Sequence, residues 1–120
     1  MKMRKVIQNG ITCAVIEIGD GAISDVQSAL DLLMTASYEL QTKNIAVSKK
    51  QVAESFFILS SGLAGEILQK YVNYGAHIAI YGDYSRYTSK PLRDFIYESN
   101  KGKDVFFVAS EEEAIERLTR

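Results

Sequence analysis

The chain has 120 residues, 47% of them hydrophobic and 24% charged, an average globular mixture that excludes intrinsic disorder and fits one domain over residues 1–120. Fourteen Lys+Arg against fifteen Asp+Glu leave a net charge of -1, so no global positive field exists to hold nucleic acid or an anionic membrane. One cysteine, Cys13, and one histidine, His77, exclude an internal disulfide, a thiolate cluster and a multi-histidine metal site, and no cofactor is expected.

The opening run Met1-Lys2-Met3-Arg4-Lys5-Val6 lacks the apolar core of a signal peptide, and no apolar stretch approaches membrane-spanning length. A cytoplasmic location without a membrane partner is the expectation. Val6-Ile7 and Ile11 to Ile18 flank Asn9-Gly10, whose two positive φ angles suit a type I′ turn, so the fold should open with a β-hairpin. Ser24-Asp25-Val26-Gln27 reads as a capping box, with Ser24 as the cap. A stripe of Val26, Leu30, Leu33 and Leu40, widened by Ala29 and Met34, carries the first helix to about Thr42.

Ile45-Ala46-Val47 is a short buried strand ending at the polar Ser48-Lys49-Lys50. Phe56-Phe57-Ile58-Leu59 fits either a strand or a packed helical turn, because a short apolar run does not reveal its period. Ser60 or Ser61 then caps a second helix with the stripe Leu63, Ile67, Leu68, Tyr71 and Val72. Gly75 suits its left-handed end, and Gly62 and Gly65 suit close helix packing. Ala76 to Tyr81 is an interior strand, and a loop follows it. Ser89 caps a third helix with Pro91 in its first turn, Leu92, Phe95 and Ile96 inward, and Gly102 as the stop. Val105 to Val108 is the last strand, and Ser110-Glu111-Glu112-Glu113 opens the last helix. The order β-β-α-β-α-β-α-β-α predicts an α/β fold with four main helices and a mixed, mostly parallel sheet behind an N-terminal antiparallel hairpin.

In open α/β sheets ligands gather beyond the carboxyl ends of the strands. Two stretches stand there. Ser60-Ser61-Gly62 opens the second helix, where backbone N–H groups favour an anion or a phosphoryl group, or where a serine simply caps. The second stretch runs from Gly82 to Lys90 and holds Asp83, Tyr84, Arg86, Tyr87 and Lys90, with Arg93 a turn later. Tyr and Arg are the residue types enriched at interface hot spots, and the alternative is a solvated loop in which Asp83 satisfies backbone N–H groups. His77, opposite in facing to Ile78 and Ile80, reads as a core or groove histidine rather than a base. Cys13 reads as a small buried hydrophobe. No nucleophile elbow, Walker motif or dinucleotide fingerprint is present.

Ser60-Ser61-Gly62-Leu63, followed by a helix, Gly75 and the strand His77-Ile78-Ala79-Ile80, resembles the STAS domain of anti-sigma-factor antagonists. That resemblance implies a partner switch in which a kinase phosphorylates the second hydroxyl residue, here Ser61, although Leu59 stands where the family usually has an acid. The runs Ser61 to Lys70, Gly82-Asp83 and Arg93 to Gly102 are similar to an uncharacterised bacterial family catalogued as a domain of unknown function, a likeness that implies no activity.

The inventory at the strand ends points to recognition rather than catalysis. The leading expectation is a non-enzymatic regulatory module that engages a protein partner through Ser61 and the face from Asp83 to Arg93. The alternative is a sensor or small enzyme that binds an anionic ligand in a cleft of Asp83, Arg86, Arg93 and Glu98. A homodimer would use the exposed aromatics as its interface.

Overall fold

The computed structural model describes residues 2–17 and 22–120. Strands β1 (Met3–Gln8) and β2 (Ile11–Ile16) form the expected hairpin, in register from Met3 opposite Ile16 to Gln8 opposite Ile11. Asn9 and Gly10 take φ values of 53° and 75°, as a two-residue turn matched to strand twist requires. β1 runs further back than its apolar residues suggest, through Arg4 and Lys5, because it is an edge strand whose charged side chains stay in solvent. Ile18, expected in β2, lies outside the described residues.

Helix α1 (Val26–Glu39) starts one residue later than its sequence signature indicates. Asp25 is the cap: its carboxylate accepts the Ser28 N–H at 2.7 Å, and Ser28 Oγ accepts the Asp25 N–H at 3.0 Å. The box is therefore Asp25/Ser28 rather than Ser24/Gln27, and Gln27 instead donates to Asp31 along the helix. The helix ends at Glu39, three residues short of Thr42, because Gln41 turns left-handed at φ 55°. Leu32 and Ala36 join Ala29 and Leu33 in the core, whereas Met34 is exposed.

β3 (Asn44–Ser48) is followed by 3-10 turns over Lys49–Gln51, Glu54–Phe57 and Leu59–Ser61, which resolves the ambiguous aromatic run as helical turns. The cap of α2 (Leu63–Asn73) is Gly62, in the left-handed region at φ 78°, rather than Ser60 or Ser61, which belong to the preceding turn; the helix ends where Gly75 turns left-handed at φ 69°. Its face is Ala64, Ile67 and Tyr71; Val72 is exposed. A Cβ at Gly62 or Gly65 would meet nothing within 4 Å, so neither serves close packing. The Glu66-x-x-x-Lys70 spacing suits an i,i+4 ion pair, but none forms, and on the exposed side of the helix Gln69 donates to Asn73 at 2.9 Å.

β4 (His77–Tyr81), α3 (Lys90–Lys101), β5 (Val105–Val108) and α4 (Glu111–Leu118) complete the chain. Ser89 occupies the α3 cap position without a side-chain bond, and Pro91 supplies the fixed φ of the first turn. Ser110 accepts the Glu113 N–H at 3.2 Å and caps α4.

The sheet order is β1-β2-β3-β4-β5, with β1–β2 antiparallel and every later pair parallel. Each crossover helix returns the chain to the adjacent strand, so α1, α2 and α3 share one face. There Leu32, Leu33, Ile67, Tyr71 and Leu92 cover Ile45, Val47, Ile78, Ile80 and Phe107. On the other face, α4 is the one helix among the described residues, and it buries Ala114, Ile115 and Leu118 against Cys13, Val15, Ala46, Ala79 and Phe106. Strands covered on both faces explain the near-continuous apolar runs. Burial pushes the Cys13 thiol up to about 11, which leaves it a packing residue. No helix among the described residues is long and apolar enough to cross a membrane.

Candidate functional site

Strand order that advances in one direction has no reversal, so the crevice that doubly wound sheets open at a switch point does not form here. The carboxyl ends of β3 and β4 are shaped instead by the 3-10 turns after β3 and by the loop from Gly82 to Ser89. Ser48 and Gln51 form a capping box across the first turn, and Gln51 Nε2 reaches the Glu17 carbonyl at 2.6 Å. That arrangement aims Lys49 across the exit of β4.

A Cβ on Gly82 would lie 2.7 Å from the Lys49 Cβ, a contact with the root of the side chain rather than its mobile end. The close approach places Lys49 Nζ 4.8 Å from the Tyr87 ring centroid and 5.3 Å from that of Phe57. Gly82→Ala is expected to force β3 and β4 apart at their exits, at a cost of about 1–3 kcal/mol, read by urea unfolding. A change below a few tenths would show that Lys49 yields freely.

The loop is anchored by its aromatics. Tyr84 donates to the Ile80 carbonyl at 2.6 Å and sits edge-on to Phe107, with centroids 5.8 Å apart. Its burial, then the neighbouring Tyr87, push its phenol far above the usual tyrosine range. Tyr87 stacks on Phe57 at 5.3 Å. Glu54 ties the loop down from the other side: Arg86 Nη2 donates to Oε1 at 2.5 Å and Tyr87 Oη donates to Oε2 at 2.8 Å. Asp83 accepts the Ser85 N–H at 2.9 Å, and that bond holds its carboxyl below the usual range.

Two grooves result, one on each side of Tyr87 and Thr88. The first, about 540 Å³, has Phe57, Ile58, Leu59, Pro91 and Leu92 as its apolar wall and Glu54, Ser60 and Arg86 at its rim. Ile58 is 53% exposed. The second, about 400 Å³, is bordered by Tyr84, Ser85, Arg93, Ile96 and Tyr97.

The structure brings Ser60, Arg86 and Tyr87 together at the first groove and Tyr84, Tyr87 and Arg93 together at the second. Ser61 Oγ donates to the Ser55 carbonyl at 2.7 Å and accepts the Leu63 N–H at 3.2 Å, so its hydroxyl stitches the turn to α2. Lys90 pairs with Asp94 at 2.6 Å, and Glu98 lies 3.6 Å from Lys101. Arg86 borders the first groove and Arg93 the second, while Asp83 and Glu98 are engaged locally, so these four do not converge on one cleft. Lys49, Glu54 and Phe57 were not legible as site residues. Ser48-x-x-Gln51 is a capping-box spacing that announces the turn carrying Lys49, but nothing local marks Glu54, whose partners lie 32 and 33 residues away.

The family model described as Domain of unknown function (DUF4180) matches residues 8–118. No curated protein and no solved structure matches the chain.

Proposed function

The chain belongs to the family described as domain of unknown function DUF4180, and from the site it carries we propose a non-enzymatic binding module whose first groove receives an apolar side chain from a segment of another protein. The observation that carries this reading is the groove itself, an open apolar wall centred on Ile58 beside the Glu54–Arg86 pair. The polar groups around it support the same reading. Ser61, Asp83, Tyr84, Arg86 and Tyr87 all spend hydrogen bonds on holding the wall and rim in place, the preorganisation that favours recognition. A random peptide-display selection tests the idea. It should enrich sequences with one large apolar residue, and the enrichment should vanish on Ile58→Asp; selection of the same peptides by that variant would overturn the proposal.

The resemblance of Ser60-Ser61-Gly62-Leu63 to the STAS motif supports a regulated form of this module. A phosphate on Ser61 would remove the O–H that the Ser55 carbonyl accepts and add about -1.5 to -2 charges just ahead of α2, whose first turn carries Glu66. The segment carrying Ile58 and Leu59 would then be released from α2. Ser61→Ala should cost about 1 kcal/mol of stability and leave peptide binding largely intact, whereas Ser61→Asp should weaken binding. Equal affinity in both variants would remove the switch.

A second reading, a sensor of small anions, is favoured by one observation. Arg93 borders the second groove with no ion pair or side-chain hydrogen bond among the described residues. A thermal shift with carboxylates or phosphosugars that Arg93→Ala abolishes would support it.

A further inference from the structure

A third cavity, about 410 Å³, lies at the opposite end of the sheet, where the amino ends of β3, β4 and β5 meet the last turn of α4. His77, Lys103, Phe106, Arg117 and Arg120 border it. His77 Nδ1 lies 2.9 Å from the Lys103 carbonyl. A carbonyl only accepts, so Nδ1 carries a proton, and in the neutral form of the ring the lone pair lies on Nε2, at the far side of the ring from that bond. The Asp104 carboxylate stands 3.7 Å from Nδ1 and so flanks the same side as Lys103 O.

Arg117 is held in place rather than free. Its Nη2 donates to the Asn100 carbonyl at 2.6 Å, and its guanidinium lies over the Phe106 ring, 4.3 Å from the centroid. Those contacts fix the plane and leave other N–H groups to donate. Neither Arg117 nor Lys103 has a carboxylate partner among the described residues, whereas Arg120 is neutralised by two bonds to Glu116 at 3.0 and 2.8 Å. One acceptor at the end of α4, the Thr119 carbonyl, is occupied by Asn9 Nδ2 at 3.1 Å. Two uncompensated cations and one lone-pair nitrogen thus meet at one cavity.

We propose that this pocket binds inorganic phosphate, as the hydrogenphosphate ion. Arg117 and Lys103 take its charged oxygens, and His77 Nε2 accepts the proton of a P–OH group. The combination selects for an anion that retains an acidic hydroxyl. Sulfate has the same shape and no such proton at neutral pH, which makes it the discriminating control.

His77 is the one histidine of the chain, so its imidazole resonances in NMR spectra report on this cavity without ambiguity. Inorganic phosphate, titrated at constant pH and ionic strength, should move the His77 Hε1 and Nε2 signals along a saturable curve. Sulfate should bind several-fold more weakly, and Lys103→Glu, on an exposed loop residue, should weaken phosphate about tenfold or more. A linear drift that never saturates, equal curves for sulfate and phosphate, or an unchanged curve in Lys103→Glu would overturn the proposal. A phosphomonoester, whose second pKa of about 6 leaves little P–OH at neutral pH, should bind more weakly than phosphate; a phosphomonoester tighter than phosphate would overturn the role given to His77.

Discussion

Phe107→Ala is expected to lower the unfolding free energy by about 3–5 kcal/mol, the largest effect of any single substitution considered. Phe107 stands near the carboxyl end of β5, 4% exposed, and its ring meets those of Phe56, Phe57, Tyr84 and Phe95 at centroid distances of 5.8 to 6.4 Å. Its removal leaves a void that the rigid neighbouring strand β4 cannot close. It also takes away the edge-on partner that seats Tyr84, and with it the floor of the loop from Gly82 to Ser89. Phe107→Leu should recover most of the loss, because volume rather than aromaticity dominates the term. Urea unfolding of both variants checks this; a loss under about 1 kcal/mol in the alanine variant would mean that the cluster collapses freely into the gap.

Asn100→Ala should cost about 2–3 kcal/mol and change how the protein behaves in solution. β5 is an edge strand, and the Asn100 amide completes it: Oδ1 accepts the Phe107 N–H at 2.7 Å and Nδ2 donates to the Phe107 carbonyl at 3.0 Å. The side chain thus does on that edge what a further strand would do. Alanine leaves both backbone groups unpaired on an exposed strand edge, which favours pairing with another chain. Asn100→Asp keeps the acceptor but sets a carboxylate oxygen against the Phe107 carbonyl, so it should be destabilising as well. Light scattering over a concentration series should show association for Asn100→Ala that the parent chain lacks. A monodisperse variant of unchanged stability would show that water replaces the amide without loss.

What could be read in the sequence follows the range of the interactions. Asn9-Gly10, Gly75, the run Val105 to Val108 and the Ser110 cap are local signals, and the structure places each as expected. The end of α1 was less legible because Leu40 continues the stripe while Gln41, a residue with no special preference for positive φ, turns the chain. Its start lies one residue past the Ser24 signature because Ser24 and Asp25 are both good caps, and the reciprocal bond to Ser28 decides between them. The segment from Lys49 to Ser61 has short turns without a period, and it carries half of the candidate site. The anion cavity combines residues from β4, the loop before β5 and α4, and no local spacing announces it. The groove was anticipated only as a polar, aromatic stretch after β4; its apolar wall and the Glu54 anchor depend on contacts that span the chain.

On the proposed function, the wall around Ile58 is a recognition surface for a segment of another protein. The most direct measurement is the dissociation constant of a display-selected peptide for the parent chain and for Ile58→Asp, by fluorescence anisotropy, alongside unfolding curves that show both proteins folded. Loss of a central apolar anchor predicts weakening of about 30-fold or more. Equal affinities in two equally folded proteins would contradict the claim and place the peptide elsewhere on the molecule.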